Sequence, residues 1–463
     1  MSSDSASSRL TVAFAMLADK GHYTGTFRLA RELRARGHRV VYIGLACSRE
    51  LVEAQEFEFV AFAEDLVPAG HVRQLEDAGT QPVRGLLRTW RKRRSDEQLF
   101  AEYLRRIEDG LLDECLRACG PDILLCDTFL WYVALRALRL RIPTVSISVI
   151  LSLYPNARIP PILSSMRPGA TWWSALCVLS SWAWLRLRFL FTKRLASKLL
   201  GTYRSPTRMH HLVDVFIRIA KRSGYRCREN ETYWFGEMGP RLALPELVLC
   251  PEAFQLAGKP ADGRRYVGDY VDLDRTEEPI PPEIGAGTKP LVYCSMGTCA
   301  FLYPHRRRFI QAVVGASRLR EDWQFVLQVS DQRLLEQIEA APNLLARKWV
   351  PQIALLRRTS VMVTHGGLNS IMECVQLGVP MVVVPAMRDQ PGNSVRAVHH
   401  RLALVTDMAG LTAECLVALV ARAMADAGIR SGLATMKQAI DEEGGMANAL
   451  HFVEAYGTAL EVS

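Results

Sequence analysis

Residues 349–390 read WVPQIALLRRTSVMVTHGGLNSIMECVQLGVPMVVVPAMRDQ, and this stretch decides the fold. Within it, VMVT is followed by LNSIMECVQLG and then by VPMVVVP. The succession predicts a strand, a helix and a second strand, which is a βαβ unit. His365-Gly366-Gly367 joins the first strand to the helix. Because glycines let a ligand approach the backbone N–H groups at the positive end of a helix, we predict a phosphate site there.

Polar residues surround this predicted phosphate site. Asn369 and Ser370 lie in the first helical turn, where their side chains can reach the same anion. Glu373 lies three residues after Ser370 and on the same face, so its carboxylate could accept hydrogen bonds from the two hydroxyls of a ribose. Asp389-Gln390 follow the next strand, at the end where open α/β sheets bind ligands. Trp349 offers an aromatic plane for a base.

This stretch resembles the donor-binding signature of the UDP-dependent glycosyltransferases, a superfamily that includes plant secondary-metabolite, macrolide and bacterial carotenoid glycosyltransferases. The resemblance is specific because many positions agree at once in type and spacing. Leu368 departs from it, since plant members often carry Trp there, and this leaves the sugar less constrained. The matching residues are Trp349, Pro351, Gln352, His365, Gly366, Gly367, Asn369, Ser370, Glu373, Gly378, Val379, Pro380, Pro385, Asp389, Gln390 and Asn393.

The resemblance implies a role for each of these positions in binding a nucleotide sugar. It also implies that a turn at the start of the second domain brings backbone amides to the phosphates. The base and ribose would contact Trp349, Val350, Gln352 and Glu373; the diphosphate would contact Ser295, Thr298, His365, Gly367, Asn369 and Ser370; the transferred sugar would contact Asp389 and Gln390.

A histidine and an aspartate follow two predicted strands of the amino-terminal half. Residues 10–16 predict the first strand, followed by a loop with His22 and a helix over about 24–36, without the GxGxxG spacing of a dinucleotide site. Asp127 follows the predicted strand 122–126. Neighbouring strands would bring the two side chains together, and an imidazole backed by a carboxylate makes a general base. The resemblance implies the same roles, a catalytic histidine and its partner.

Residues 158–228 differ from the rest of the chain in charge and hydropathy. They contain fourteen Lys or Arg and one acid, Asp214, and residues 168–185 carry no charge but include four Trp. Three interpretations compete: a spanning helix, for which the uncharged run is short, a helix of the acceptor pocket, and a surface that touches a membrane. The last two are compatible, and both favour a hydrophobic acceptor. The four tryptophans of this uncharged run are Trp172, Trp173, Trp182 and Trp184.

Composition limits the other function classes. The eleven Cys form no CxxC pair and no Cys/His cluster at zinc spacing, so no metal site is predicted. Cys126, Cys250 and Cys294 lie in apolar strand patterns, which favours buried free thiols in a reducing cytoplasm. The first ten residues do not resemble a secretory signal. The basic stretch 84–106 predicts a solvated helix face, and without a recognised motif we expect no nucleic-acid partner.

At 463 residues the chain is predicted to have several domains. We expect an amino-terminal Rossmann-like domain over 9–271 that binds the acceptor and carries the insertion at about 158–228. Residues 272–290, rich in Pro, Gly and charge, predict a linker, in which Asp272-Leu273-Asp274 is a solvated turn. A second Rossmann-like domain over 291–444 would bind the donor, and a helix in 445–463 could cross back to the first domain.

The resemblance implies the α/β architecture called GT-B, in which two Rossmann-like parallel-sheet domains face each other across a cleft. We predict an inverting, metal-independent and cofactor-free transfer of a hexose, glucose being favoured, from a UDP-sugar to a hydroxyl of a hydrophobic acceptor. Glu373 favours UDP over dTDP. One alternative is a membrane-associated enzyme that makes a glycolipid. Another is a non-catalytic auxiliary protein, which would be expected to lack one or more of His22, Asp127, Asp389 and Gln390. A cytoplasmic location, with possible peripheral membrane contact, is expected.

Overall fold

A computed structural model describes residues 9–67, 99, 102–151, 157–169, 171–199, 216–226, 242–256, 264–284, 287–298, 300, 303, 305–339 and 341–458. The described strands form two separate sheets, one in each half of the chain, and every strand pair is parallel. This confirms the predicted α/β class with two Rossmann-like sheets. Most of the basic stretch 84–106 and parts of the insertion 158–228 lie outside the described residues.

Seven strands form the first sheet: β1 (Thr11–Ala15), β2 (Arg39–Gly44), β3 (Glu58–Ala61), β4 (Ile123–Asp127), β5 (Thr144–Ser148), β6 (Glu246–Val248) and β7 (Arg264–Tyr266). Their order is β3-β2-β1-β4-β5-β6-β7. The central strands β4 and β5 are buried along their whole length, because helices cover both faces of a parallel sheet. The strand order reverses between β1 and β4.

Six strands form the second sheet: β8 (Leu291–Ser295), β9 (Gln324–Gln328), β10 (Leu344–Arg347), β11 (Val361–Thr364), β12 (Met381–Val383) and β13 (Ala403–Val405). Their order is β10-β9-β8-β11-β12-β13, so the order reverses between β8 and β11. The register of that pair places Thr364 beside Ser295, so the two strands end at the same level.

Helices connect these strands. In the first half they are α1 (Lys20–Thr24), α2 (Phe27–Ala35), α3 (Arg49–Glu53), α4 (Leu111–Cys119), α5 (Trp131–Arg139) and α6 (Trp172–Leu199). In the second half they are α7 (Arg306–Leu319), α8 (Gln332–Leu335), α9 (Gln352–Leu356), α10 (Leu368–Leu377), α11 (Gln390–His399), α12 (Ala413–Ala425), α13 (Ala427–Glu443) and α14 (Gly445–Thr458). Residues 102–108 and 216–222 are also helical. Within the described segments, no helix combines the length and the apolar character that crossing a bilayer requires.

The segment after β1 differs from the prediction. His22 lies on the short helix α1 and not in a loop, because the Asp19 carboxylate caps this helix by accepting a hydrogen bond from Gly21 N at 2.9 Å. The helix predicted over about 24–36 is interrupted after Thr24, and α2 begins only at Phe27. Between them, the Thr26 hydroxyl donates to the carbonyl of Tyr23 at 2.8 Å and so competes with the helical backbone bonds.

The last helix, α14, packs against α2, β4 and β7 of the first half. At one end of α14, Met446 N donates to Asp269 Oδ1 at 2.8 Å. At the other, the Glu454 carboxylate accepts from Arg36 Nη1 at 3.1 Å and lies 3.2 Å from His38 Nε2. The chain therefore returns to the domain in which it began.

One hydrophobic cluster runs through both halves. It includes Phe14 and Ile147 of the first sheet, Val363 and Val382 of the second sheet, and Val453 of α14. A second cluster covers the other face of the first sheet. Cys126, Cys250 and Cys294 are free and buried, as predicted. The shared cluster means that the two halves are packed together and not joined only by the chain.

Candidate active site

The points where the strand order reverses are the usual ligand sites of open parallel sheets. In the first sheet, His22 follows β1 and Asp127 is the last residue of β4. In the second sheet, Ser295 is the last residue of β8 and His365 follows β11. These four predicted site residues therefore lie at the two reversal points, whereas Trp349 follows β10 and Asp389 follows β12.

The structure brings His22 and Asp127 into contact although 105 residues separate them. His22 Nδ1 lies 2.6 Å from Asp127 Oδ2. Because an ionised carboxylate can only accept, Nδ1 is the donor and Nε2 keeps its lone pair. Asp127 is itself fixed, since its oxygens accept from Leu17 N at 3.3 Å and Phe129 N at 3.0 Å. This arrangement suits a general base, and its catalytic role stays a prediction.

The charge state of His22 depends on two opposing effects. Burial disfavours the imidazolium, and the side chain is only 13% exposed. The negative charge and hydrogen bond of Asp127 favour the imidazolium and outweigh burial, so the pKa of His22 is raised above 6.5. Asp19 and Asp389 act in the same direction. Asp389 belongs to the second half, so the imidazole of His22 lies within electrostatic reach of a carboxylate from the other half.

His365, Gly366 and Gly367 form a tight joint between β11 and α10, which we call the His-Gly-Gly joint. Gly366 has φ +88°, and a Cβ there would meet Val383 Cγ1 at 2.8 Å. The His365 imidazole fills the space beside two glycines: a Cβ on Gly297 would lie 2.5 Å from its Cε1, and a Cβ on Gly367 2.6 Å from its Nε2. The joint therefore requires glycine for both conformation and space.

His365 is neutral near pH 7, because burial lowers its pKa to about 4. Its Nδ1 is buried and has no hydrogen-bond partner among the residues that the structure describes. A buried polar atom without a partner is costly, and such atoms are common at ligand sites. A neutral imidazole at this joint can donate one N–H to an anion, but it supplies no positive charge.

Two residues predicted to bind the diphosphate instead link the halves in this structure. The Asn369 amide donates to the carbonyl of Gly21 at 2.7 Å, and its Oδ1 accepts from the Tyr270 hydroxyl at 3.1 Å. Thr298 Oγ1 donates to Asp19 Oδ1 at 3.2 Å. The bonds to Gly21 and Asp19 end on α1 and on its cap, so residues of the second half hold the helix that carries His22.

Ser295 is buried, and its hydroxyl serves the turn after β8. The Ser295 Oγ accepts from Gly297 N at 3.1 Å and donates to Gln328 Oε1 at 3.2 Å. Gly297 has φ +73°, so this turn also depends on a glycine. Ser295 therefore shapes the backbone near the His-Gly-Gly joint, and its side chain is already bonded within the protein.

The residues predicted to bind ribose form a buried network. Gln352 Nε2 donates to Glu373 Oε2 and lies 3.4 Å from the Ser370 hydroxyl. Arg275 Nη1 contacts Glu373 Oε1 at 2.5 Å, and Arg275 Nε contacts Glu277 Oε1 at 2.9 Å. The carboxylate of Glu373 is therefore held in place before any ligand is bound.

Arg275 and Glu277 come from the segment predicted to be a linker. The Glu277 carboxylate also accepts from the backbone N–H groups of Ile353 and Ala354, at the start of α9. In the same segment, Asp272 is buried and paired with Arg31 Nε at 2.9 Å, so the prediction of a solvated turn was wrong for this residue. The apolar and charge patterns contain no signal for these contacts, because they depend on where the segment folds back.

The predicted base platform is partly open. Trp349 is 40% exposed, and Lys20 Nζ of α1 lies 4.7 Å from the centre of its ring, a cation–π contact. Val350 is partly buried against the core. Sequence reasoning missed Lys20, although it lies two residues before His22. A base stacking on this face of Trp349 would have to replace the ammonium group.

The two residues predicted to bind the sugar, Asp389 and Gln390, differ in how their side chains are hydrogen-bonded within the protein. Burial raises the pKa of Asp389, although a hydrogen bond from Asn393 Nδ2 at 2.8 Å and the nearby His22 oppose that effect. Gln390 is buried: its Oε1 accepts from Ala386 N and Met387 N, and its Nε2 donates to the Tyr303 hydroxyl at 2.8 Å. Asp389 therefore faces the site, whereas Gln390 shapes the loop before α11.

Metal binding was not predicted from the sequence. Across the described segments, no group of three or more His, Cys, Asp or Glu side chains has an arrangement that could hold a metal ion. Independence from metal stays a prediction.

This chain is similar in sequence to known proteins. A family model described as UDP-glucoronosyl and UDP-glucosyl transferase matches residues 275–433, which include Arg275 and the whole stretch 349–390. NDP-glycosyltransferase YjiC of Bacillus subtilis is 30% identical over 223 residues, or 47% of this chain and 55% of its own length. Oleandomycin glycosyltransferase of Streptomyces antibioticus is 24% identical over 455 residues, or 96% of this chain and 90% of its own length.

A solved structure shares the fold over almost the whole chain. The glycotransferase of kitacinnamycin superimposes with a TM-score of 0.66 and 21% identity, covering 97% of this chain and 99% of its own. The chain spans about half the length of the first curated relatives that it matches. The fold is thus shared with the solved structure over almost the whole chain, and residues 275–433 are the part that the family model matches.

Proposed function

We propose that this chain belongs to the UDP-dependent glycosyltransferase superfamily and that it transfers a hexose from a UDP-sugar to a hydroxyl of a hydrophobic small molecule. The observation that carries this proposal is the His22–Asp127 pair, 2.6 Å apart, at the reversal point opposite the His-Gly-Gly joint. We propose further that the configuration at the anomeric carbon is inverted and that no metal ion takes part.

In this mechanism His22 Nε2 accepts the proton of the acceptor hydroxyl. The hydroxyl oxygen forms a bond to the anomeric carbon while the bond from that carbon to the diphosphate oxygen breaks, and UDP leaves. Asp127 keeps Nδ1 protonated and stabilises the imidazolium that forms. One displacement by one base inverts the configuration, because the acceptor enters on the face opposite the leaving group.

The negative charge that develops on the diphosphate requires stabilisation. The N-terminus of α10 supplies backbone N–H groups and the positive end of a helix dipole. His365 would add a neutral N–H, since its low pKa leaves it uncharged before the donor binds. A bound diphosphate would raise that pKa, so His365 could gain a proton as negative charge accumulates. Lys20, once displaced from Trp349, would supply a further positive charge.

A ribose would use the network around Glu373. Arg275 contacts Oε1 of its carboxylate and Gln352 contacts Oε2, and each oxygen can accept a further hydrogen bond from one of the paired ribose hydroxyls. This preorganisation supports UDP over dTDP, whose sugar lacks the 2′-hydroxyl. Asp389, close to His22, would bind a hydroxyl of the transferred hexose, while Gln390 would act through the loop that it holds.

The test uses His22→Ala, with His451→Ala on the exposed face of α14 as the matched control. Purified protein is incubated with UDP-glucose and a panel of lipophilic alcohols, and products are measured by mass spectrometry. We expect His22→Ala to lose transfer by at least roughly a hundredfold while the dissociation constant for UDP stays unchanged. Retained transfer would overturn the role of His22 as base, and lost UDP binding would make it a nucleotide ligand.

A second candidate is a glycosyltransferase whose acceptor is a membrane lipid. The observation that favours it is the exposed surface of α6, which carries Trp172, Trp173 and Trp184 with more than half of each side chain accessible. Here the reaction and its residues are the same, and only the source of the acceptor changes.

A further inference from the structure

Helix α6 presents large apolar side chains to the outside. Within the described residues, six of the nine most exposed large hydrophobic side chains belong to this one helix. Soluble domains expose such residues singly, and a contiguous apolar patch marks a binding surface. We call this patch the exposed face of α6, and its residues are Trp172, Trp173, Leu176, Leu179, Trp184 and Leu187.

The six side chains lie on one side of the helix. With 3.6 residues per turn, they fall within an arc of about 140° and extend over about 23 Å. Val178 and Trp182 lie outside this arc and are buried, and Trp182 Nε1 donates to the carbonyl of Ile159 at 2.9 Å. The helix is thus attached to the protein by one side, and the other side has no partner among the described residues.

The distribution of charge on and around the exposed face of α6 indicates the kind of partner that this face binds. Between residues 168 and 185 the chain carries no charged residue, so the exposed face is uncharged along most of its length. The surrounding segment 158–228 carries fourteen Lys or Arg and one acid. Tryptophan prefers the boundary between lipid headgroups and acyl chains, and basic residues are attracted to anionic headgroups. A basic, Trp-rich surface helix is therefore suited to lie in the interface of an anionic bilayer.

The same helix is connected to the sugar side of the cleft. Residues 157–169 lead into α6, and within them the buried Ile162 accepts a hydrogen bond from Gly392 N at 2.9 Å. Gly392 lies in the first turn of α11, which begins directly after Asp389. A Cβ on Gly392 would lie 2.3 Å from the Ile162 carbonyl, so this contact depends on glycine. Nine residues of chain thus separate Ile162 from the start of α6 at Trp172.

We propose that the exposed face of α6 docks the protein on the surface of an anionic lipid bilayer, and that the acceptor reaches the cleft from that bilayer. The first part depends only on the helix. The second rests on the proposed function, because it requires that the cleft between His22 and the His-Gly-Gly joint transfers a sugar.

Flotation with vesicles tests the docking without any substrate. One set of vesicles is pure phosphatidylcholine, and the other contains phosphatidylglycerol. We expect the protein to float with the anionic vesicles and to be released by salt. The triple variant Trp172→Ser, Trp173→Ser and Trp184→Ser should bind these vesicles at least roughly tenfold more weakly than the wild type, since it loses the interfacial aromatic groups. Leu319→Ser, at an apolar position of α7 that is also more than half exposed, should bind as the wild type does.

Further measurements separate the other occupants of this face. If the wild type ignores both kinds of vesicle, or if the triple variant binds as well as the wild type, the docking proposal fails. If the variant instead changes a dimer into a monomer in light scattering, a second copy of the chain covers the face and the proposal also fails. Unchanged UDP binding by the variant shows that it is folded.

The acceptor part is tested with one lipophilic alcohol offered in vesicles or in detergent micelles. We expect the triple variant to lose transfer with vesicles and to keep it with micelles. Equal losses in both would overturn delivery from the bilayer. Vesicle binding by a wild type that transfers no sugar in either form would leave the docking in place and count against the proposed function.

Discussion

At the scale of single residues, the two histidines of the site are tuned in opposite directions. Both are buried, which disfavours the charged imidazolium. His22 contacts the carboxylate of Asp127, and this outweighs burial, so its pKa is raised. His365 has no such partner, and its pKa falls to about 4. One is therefore suited to accept a proton, and the other to donate a neutral N–H.

The direction of the His22 shift predicts a pH profile. The neutral imidazole is the proposed base, so transfer should rise with pH, with the acidic limb of kcat/KM above pH 6.5. In Asp127→Asn the charge that favours the imidazolium is lost, so the limb should move to lower pH. The maximal rate should also fall by at least about a hundredfold, because the imidazolium is no longer stabilised. If the acidic limb lies at the same pH in the wild type and in Asp127→Asn, the contact with Asp127 is not what raises the pKa of His22.

The His-Gly-Gly joint gives a steric prediction. Gly367 has a conformation that alanine can adopt, with φ −64° and ψ 140°, but a Cβ there would lie 2.6 Å from His365 Nε2. Gly367→Ala should keep the fold and displace the imidazole. The displaced His365 imidazole would lose its proposed hydrogen bond to the charged diphosphate, so UDP binding should weaken by roughly tenfold or more. Titration calorimetry measures this change.

The matched control for Gly367→Ala is Gly410→Ala. Gly410 also lies in the second half, and a Cβ there would meet no atom within 4 Å. The dissociation constant of the Gly410→Ala protein for UDP should equal that of the wild type. Equal affinities for all three proteins would mean that His365 does not contact the diphosphate.

At the scale of elements, α1 shows what the sequence could not predict. Strand patterns placed His22 at the end of β1 and Asp127 at the end of β4, and strand order alone brings those ends together. The helical state of Lys20–Thr24 depends on the Asp19 cap and on bonds from Asn369 and Thr298, which lie about 350 and 280 residues away, respectively. Such long-range contacts override local propensity and leave no periodic pattern.

The segment before β8 is a second example. Its Pro, Gly and charged residues predict a linker, and the structure instead places Arg275 and Glu277 against the network of Glu373 and Gln352. Spacing identified the two residues inside the signature, because they lie on regular elements. The two outside it reach the site only through the path of an irregular segment.

Arg275→Gln tests the importance of this segment. The change leaves the Glu373 carboxylate buried without its ion pair, which is destabilising and shifts the group that would bind the ribose. We expect KM for the UDP-sugar to rise roughly tenfold with little change in kcat, because the reacting atoms are untouched. Arg275→Lys should recover part of the loss.

Two comparisons distinguish positioning from general loss of stability. Arg422→Gln, an exposed arginine on α12, should leave KM unchanged. Preference for UDP over its 2′-deoxy analogue should shrink in Arg275→Gln, since that preference depends on the geometry of Glu373. A variant with a lower melting temperature and an unchanged preference would show that Arg275 is only structural.

At the scale of the whole molecule, two sheets with the same pattern of reversal are packed on one continuous hydrophobic cluster. The existence of two sheets was predictable from strands such as β4 and β11, which are short apolar runs, whereas β7 with its sequence RRY has no such pattern. The return of the chain to the first half was only an open possibility in the sequence, because amphipathic periodicity shows that a helix has a buried face and not what covers it.

The last helix should therefore hold the halves in register, and Gly445→Ala tests this. A Cβ on Gly445 would lie 2.8 Å from Gly268 N and 2.9 Å from the carbonyl of Tyr266, which are backbone atoms that cannot rotate away. The collision should cost about 1–3 kcal/mol of unfolding free energy. That cost should exceed the gain of about 1 kcal/mol that alanine brings to a helix. Denaturant unfolding measures the difference, and sugar transfer should fall as α14 moves away from β7. Asn448→Ala, exposed on the same helix, should change stability by no more than about 0.5 kcal/mol. If Gly445→Ala is as stable and as active as this control, then α14 does not fix the arrangement of the two halves.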